Sequence, residues 1–517
     1  MIRDPATPEL SSPGGLDAIP ARWASQRGDC VALTDARGAW TWRELEDGRR
    51  QLAEILLTLG VRAGDRVMVV GENCASLVAL LFAAWSVNAW VVNVNARLSP
   101  REIDAIRAHS GARRVLYLGA DSPDALQHSK RTRATSLSLG RWATIGVSAL
   151  DEGCIAEPVA GDRTRDVAAL LYTTGTTGEP KGVMLSHANL LFIARVSGEI
   201  RRLSSDDRVF GVLPLSHVYG LASVCLGTLY AGASLHLQAR FTPESMAESL
   251  REHRLTVCQG VPALYAKLIE HLKGRGKRLE APALRFIYAG GSPLAPSLKR
   301  EVESFFGLTL HNGYGLTEAA PTITQTRPDE PRDDCSVGRE LPGVEVRIVD
   351  RDGNDVARGE TGELWARGPN IMRGYYRDAL STQAAIRPGG WLATGDLARQ
   401  APDGAFFIEG RLKELIIRSG FNVLPLEVEA VLNSHPEVTQ SAVVGRSTGI
   451  DEEVVAFVEL VPGARVTPAA LIEFAAASLA PYKRPTEVHV MAALPAAANG
   501  KILKGRLAQL AREKTRP

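Results

Sequence analysis

Residues 170 to 187 read LLYTTGTTGEPKGVMLSH. The apolar run Val167 to Tyr172 is short and bounded by turn residues, which predicts a buried strand. Thr173 to Gly182 then holds four threonines and three glycines without apolar periodicity, which predicts a loop. Glycines let a backbone come close to a ligand. Exposed N–H groups, hydroxyls and one ammonium are the partners a polyphosphate needs. A Walker-type loop is excluded, because Pro180 precedes Lys181 and Gly182 follows it.

The chain around this loop has 517 residues, too many for one ordinary core, so two or more domains are expected. Hydrophobic residues are 45% and charged residues 23%, normal for a globular protein, and the net charge of +2 points to neither nucleic acid nor an acidic membrane. Six well-separated cysteines without a C-x-x-C pair argue against zinc and a disulfide framework, and fit a reducing, cytoplasmic setting. The first residues, MIRDPATPELSSPGG, lack the apolar centre of a signal peptide. Val218 to Leu235 is apolar but punctuated by glycines and serines, so it reads as core rather than as a membrane span.

Apolar runs such as those at Arg66, Leu116, Val209, Leu284 and Val344 alternate with helical patterns such as Ala53 to Leu59 and Leu77 to Trp85. That alternation predicts α/β layers with mostly parallel sheets. The basic, Ser/Thr-rich stretch His128 to Arg141 reads as a solvated loop. Near residue 411 a glycine-rich region gives way to a compact pattern: helix from Pro425 to Asn433, strands after Gln440 and Glu453, helix from Pro468 to Leu479, and a basic last helix bearing Leu503, Leu507 and Leu510. The fold class expected is therefore α/β, a large N-terminal domain (1–411) of layered α/β subdomains with a small α+β domain (412–517).

Six further segments follow in order: PLSHVYGL from Pro214, YAGGSPL from Tyr288, NGYGLTEA from Asn312, GWLATGDL from Gly390, GRLKELIIRSGFNVLP from Gly410, and NGKI from Asn499. Together with the threonine loop, they make a chain that resembles the adenylate-forming superfamily of acyl-CoA synthetases, adenylation domains and luciferases. The resemblance runs from about Thr41 to Leu507 and is closest to the acyl-CoA ligase branch. It implies that ATP and a carboxylic acid give an acyl-AMP and pyrophosphate, and that the acyl group then passes to a thiol.

By that resemblance, Thr173, Thr174, Gly175, Thr176, Thr177, Gly178 and Lys181 hold the phosphates, with Mg2+ bound by Glu318 and Thr173. Gly290, Gly291, Asn312, Gly313, Tyr314, Gly315 and Thr317 surround the base and α-phosphate. Tyr314 offers a flat face to adenine and Asn312 faces its edge, while Asp396 and Arg411 take the ribose. Lys501 is the ammonium expected to bridge carboxylate and α-phosphate, so Lys501, Lys181, His217 and Glu318 form the expected catalytic set. His217, Tyr219, Val261, Gly290 and Gly315 line the acid pocket. Ser419, Gly420 and Phe421 line the coenzyme A tunnel, and Lys413 is the hinge of a mobile C-terminal domain.

Val218 stands where the peptide-synthetase branch carries an aspartate, so an amino acid substrate would lack a counter-charge. Ala393, Ile417, Lys413 and Ala496 to Ala498 also depart from the common pattern, and Ile417 disfavours luciferase-type oxidation. The expectation is an ATP-dependent acyl-CoA synthetase for a hydrophobic fatty or aryl acid, with coenzyme A as the likelier thiol because no carrier domain follows Lys501. Transfer to a carrier protein and a degenerate binding protein are the alternatives. The joint presence of Lys181, Glu318, Asp396 and Lys501 speaks against the second.

Overall fold

The computed structural model describes residues 14–174, 180–449, 451–461, 463–496 and 502–513. Thr173 and Thr174, read as loop from sequence, continue a strand, Val167–Thr174, which pairs antiparallel with Pro180–Ser186 so that Thr173 faces Lys181 across the ladder. The threonine–glycine loop is thereby reduced to a hairpin connection whose residues 175–179 lie outside the described residues. This hairpin belongs to an eight-stranded sheet. The sheet continues through the parallel strands Trp90–Asn95, Arg66–Gly71 and Arg114–Tyr117, and is extended on the loop side by Gly374–Tyr375.

A nine-stranded sheet stands beside it. Leu310–Gly315, Phe286–Ala289, Val257–Gly260, Arg208–Gly211 and Ser234–Leu237 are its parallel centre. Helix Ala75–Ser86 is buried along its first eleven residues, which is why its sequence is apolar all round. Helix Trp42–Thr58 starts at a capping box, in which the Thr41 hydroxyl accepts from the Glu44 N–H and the Glu44 carboxylate accepts from the Thr41 N–H. The apolar stretch after Val218 is a buried π-helix, Tyr219–Leu226. Among the described residues no helix is long and apolar enough to cross a membrane.

A second expectation is corrected. The stretch 128–141 is not a loop: it carries the end of helix Pro123–Arg131 and strand Thr135–Ser138, paired antiparallel with Thr144–Val147 at the sheet edge. Its cations Lys130 and Arg131 fall in the last helical turn, where they complement the helix dipole. His128 is buried, with its ring nitrogen shared between the carbonyls of Ala96 and Leu98.

An antiparallel sheet, Glu345–Val349, Gly362–Arg367, Trp391–Gln400, Ile386–Arg387 and Phe406–Arg411, closes the larger part. The largest apolar cluster ends at Phe406, with Ile408 packed against it, and a separate cluster begins at Ile416. The smaller α+β part holds a three-stranded sheet whose last strand, Glu487–Met491, pairs parallel with Glu452–Leu460.

Candidate active site

Two of the expected phosphate-side groups, Lys181 and Glu318, are held by partners that the sequence does not announce. The Lys181 ammonium donates to the Ser381 hydroxyl at 2.7 Å and lies 5.1 Å from the centre of the Tyr375 ring. The Tyr375 hydroxyl in turn donates to Glu318 Oε1 at 2.8 Å, and the Met372 N–H donates to the Glu318 carbonyl at 2.9 Å. Tyr375 reaches this position because its strand pairs with the outgoing arm of the hairpin, Tyr375 opposite Val183. Burial, and then the Glu318 charge, hold the Tyr375 hydroxyl well above its ordinary pKa, so it stays a donor. An open groove of about 790 Å³, lined by Met184, Arg373, Tyr375 and Arg377 among others, lies alongside.

On the ribose side, Asp396 and Arg411 are directly opposite across two antiparallel strands, with Arg411 Nε 3.0 Å from Asp396 Oδ1. The Tyr314 hydroxyl donates to Asp396 Oδ2 at 2.5 Å. The structure thus gathers Tyr314, Asp396 and Arg411, three residues expected to share a nucleoside. Thr317 opens the single 3-10 turn, Thr317–Ala319, that carries Glu318.

Asn312 is placed differently from the expectation. Both of its amide hydrogens go to backbone carbonyls, those of Cys335 and Ser336 at 3.3 and 3.2 Å, so its N–H groups clamp the chain instead of reading a base. Gly315 is likewise not open to a pocket, because a Cβ there would stand 2.0 Å from the Pro321 carbonyl oxygen. At Gly313 a Cβ would meet the Tyr288 hydroxyl at 1.9 Å, so this glycine makes room for an aromatic neighbour.

Of the other residues expected to line the acid pocket, Tyr219, Val261 and Gly290 lie together. A Cβ on Gly290 would lie 3.2 Å from Tyr288 Cε1 and 3.5 Å from Tyr219 Cε1, and one on Gly291 3.7 Å from Val261 Cγ1. His217 is exposed at the bend that leads into the π-helix. In the smaller part, Ser419 and Gly420 form the two-residue turn between Ile416–Arg418 and Phe421–Val423, both with positive φ (51° and 80°), the geometry of a type I′ hairpin. Asp451 fixes that turn by accepting from the Ser419 N–H and hydroxyl at 2.6 and 3.0 Å. Phe421, half exposed, stacks on Tyr482 with ring centres 4.4 Å apart. Lys413 is the middle residue of the 3-10 turn Leu412–Glu414. Lys501, like Gly175, Thr176, Thr177 and Gly178, lies outside the described residues.

Among the described residues no group of three or more His, Cys, Asp or Glu is arranged to hold a metal ion. The Glu318 carboxylate nevertheless suits magnesium, which takes one or two protein oxygens and the rest of its shell from phosphate and water. Sequence reasoning missed Tyr375, Ser381 and Tyr288. No charge, periodicity or turn signal marks the two tyrosines, and Ser381 looks like any residue of a helix first turn.

The family model described as AMP-binding enzyme matches residues 20–376, and that of the AMP-binding enzyme C-terminal domain matches 427–501. A feruloyl-CoA synthase of Amycolatopsis sp is 34% identical over 95% of this chain and 98% of its own length. 4-Coumarate–CoA ligase 2 of Oryza sativa subsp. japonica is 33% identical over 92% and 89%. Among solved structures, a benzoate CoA ligase from Burkholderia xenovorans LB400 superposes with a TM-score of 0.84 at 28% identity over 96% of this chain and all of that one. ATP-bound MatB from Rhodopseudomonas palustris gives 0.84 at 28%, over 97% of this chain and all of that one.

Proposed function

The chain belongs to the AMP-binding enzyme family as an AMP-forming acyl-CoA ligase, and on that premise we propose that it joins an aryl carboxylic acid to coenzyme A. The observation that carries the acid-activating part of this reading is the convergence of Lys181 and Glu318 on Tyr375 at the outgoing arm of the threonine–glycine hairpin. A carboxylate and ATP repel each other, and a fixed ammonium beside a fixed carboxylate is how a protein screens the phosphates while keeping a seat for their cation.

In the first half-reaction an oxygen of the acid attacks the α-phosphorus. The new O–P bond forms as the bond to pyrophosphate breaks. Lys181 binds the phosphate oxygens, the Asp396–Arg411 pair orients the ribose, and Tyr314 packs on adenine. Magnesium held by Glu318 and the Thr173 hydroxyl would neutralise phosphate charge. Lys501 bridges the attacking carboxylate and the α-phosphate. In the second half-reaction the thiol sulfur attacks the acyl carbon and AMP leaves. The smaller domain (412–517) pivots at Lys413 between the two steps, exchanging Lys501 for the Ser419–Gly420–Phe421 turn.

An aryl acid is preferred over a fatty one because Tyr219 and Tyr288 flank the open side of Gly290. Flat rings pack there edge to face, as these two tyrosines already do at 6.2 Å and 71°. The deciding measurement is pyrophosphate release across fatty, benzoic and cinnamic acids, with and without coenzyme A. Release only with fatty acids would discard the aryl assignment.

A further inference from the structure

The strand that carries Asp396 does not run straight past its neighbour. Trp365 pairs with Ala393 and Glu363 with Leu397, so Thr394, Gly395 and Asp396 stand opposite the single residue Leu364. A bulge of this kind takes backbone groups out of the ladder and re-aims the side chains on it. Gly395 makes the bend with a φ of 70°, in the left-handed region that suits glycine. A Cβ there would meet nothing within 4 Å, so the backbone angle and not crowding asks for glycine.

Side chains replace the lost ladder bonds. Glu363 Oε1 accepts from the Gly395 N–H at 2.8 Å. Its Oε2 accepts at 2.9 Å from the indole N–H of Trp365, which lies on the same face of the strand. The Thr394 hydroxyl donates to the Leu364 carbonyl at 2.6 Å and accepts from the Asp396 N–H at 3.1 Å. The bulge is therefore pinned at Thr394, Gly395 and Asp396 in turn, and Glu363 supplies the charged pin. From it Asp396 emerges only 4% exposed, with the Tyr314 hydroxyl on Oδ2 and Arg411 on Oδ1.

We infer that Glu363 is a positioning residue for the nucleotide: it holds the bulge that aims Asp396 at the ribose, and so sets the selection of a nucleotide with both ribose hydroxyls. The inference rests on the reading in which Asp396 takes the ribose. Two carboxylate oxygens match two vicinal hydroxyls only when the side chain is held at one depth and rotation. Without Glu363 the extra residues are free to redistribute along the strand. A slip of one residue turns a strand side chain to the opposite face, which would carry Asp396 away from Tyr314 and Arg411. Glutamate suits this task because it accepts from two donors at once, Gly395 and Trp365, where an amide side chain offers one oxygen.

The test uses the full chain and measures pyrophosphate release with ATP, 2′-deoxy-ATP and 3′-deoxy-ATP, each with the acid that the enzyme turns over fastest. The parent is expected to favour ATP over either deoxynucleotide by roughly tenfold or more in kcat/KM, as the loss of a hydrogen bond to a charged group implies. Glu363→Leu should raise the KM for ATP and erase most of that preference, while the KM for the acid stays parental. Glu363→Gln should lose part of it. A merely structural role would lower the rate with all three nucleotides alike and leave their ratio unchanged. A parental ratio in a folded Glu363→Leu therefore overturns the inference, and a parental ratio in Glu363→Gln does so if the leucine variant does not fold. Asp396→Asn separates that failure from failure of the reading beneath, because it should flatten the ratio with Glu363 intact. A ratio that survives Asp396→Asn, or a parent that does not distinguish the three nucleotides, removes the ribose reading itself.

Discussion

The Tyr375 hydroxyl donates to Glu318 at 2.8 Å while the same ring lies 5.1 Å from the Lys181 ammonium, so one side chain sets the spacing between the two charged groups of the phosphate site. Tyr375→Phe keeps the ring and removes the bond to the carboxylate. A hydrogen bond to a charged group contributes about 1.5–3 kcal/mol, so the KM for Mg·ATP is expected to rise by about tenfold or more, with the KM for the acid unchanged. The check is a titration of magnesium and ATP in the pyrophosphate assay. A parental magnesium dependence would reduce Tyr375 to packing.

Gly290→Leu should shift preference toward smaller acids. Its side chain would enter the space bounded by Tyr288 and Tyr219, within 3.2 and 3.5 Å of their rings already at Cβ. Each lost methylene-sized contact is worth about 1–3 kcal/mol of discrimination. Relative kcat/KM for benzoic against cinnamic acid reads this out, and an unaltered profile would move the pocket elsewhere.

Lys413→Pro should separate the half-reactions. Proline fixes φ and removes an N–H in the turn Leu412–Glu414, where the proposed rotation of the smaller domain would be absorbed. Single-turnover pyrophosphate release is expected to persist and thioester formation to be lost. Acyl-CoA made at the parental rate would relocate the pivot.

Lys504 lies three residues beyond Lys501 and joins Glu429 at 2.8 Å to Glu414 at 3.2 Å. Burial is the main cause that raises the Glu429 pKa, and the lysine opposes it. Lys504→Met leaves that carboxylate buried without its cation. The expected loss is about 3 kcal/mol of stability in the smaller domain, measured by urea denaturation, with partial recovery in the double variant Lys504→Met/Glu429→Gln. A variant as stable as the parent would show that the triad is inert.

Stability should fall between pH 7 and pH 5. Burial, the leading cause at each site, lowers His187 to about 3, and His236 and His311 to about 4. The unfolded chain, with histidines near 6.5, therefore binds more protons throughout that window. Stability is complete above about 6.5 and is lost as pH drops toward the folded values, at about 1–2 kcal/mol per histidine by pH 5. Urea midpoints that do not move between pH 7 and 5 would contradict this.

Local signals carried much of the architecture. The pattern Ala53 to Leu59 made the last part of helix Trp42–Thr58 legible but not its start, and the hairpin turn at Ser419–Gly420 lies in a segment recognised from its motif. The stretch 128–141 was misread because an edge strand of alternating Ser and Thr looks like a solvated loop until its partner strand is known. Thr173 and Thr174 were misread for a related reason: ladder pairing with Pro180 and Lys181 overrides weak local preference.

By itself the sequence determined a phosphate-binding segment, since such chemistry needs a contiguous run of small, hydroxylated and basic residues, and the ordered motifs carried the family resemblance that implies the reaction class. Only the tertiary structure decided what orients those residues. Tyr375 meets Glu318 across 57 positions, and Ser381 meets Lys181 across 200. Contacts of that separation are set by how two sheets and their helices stack. They leave no periodicity, spacing or composition in the chain that local reading could detect.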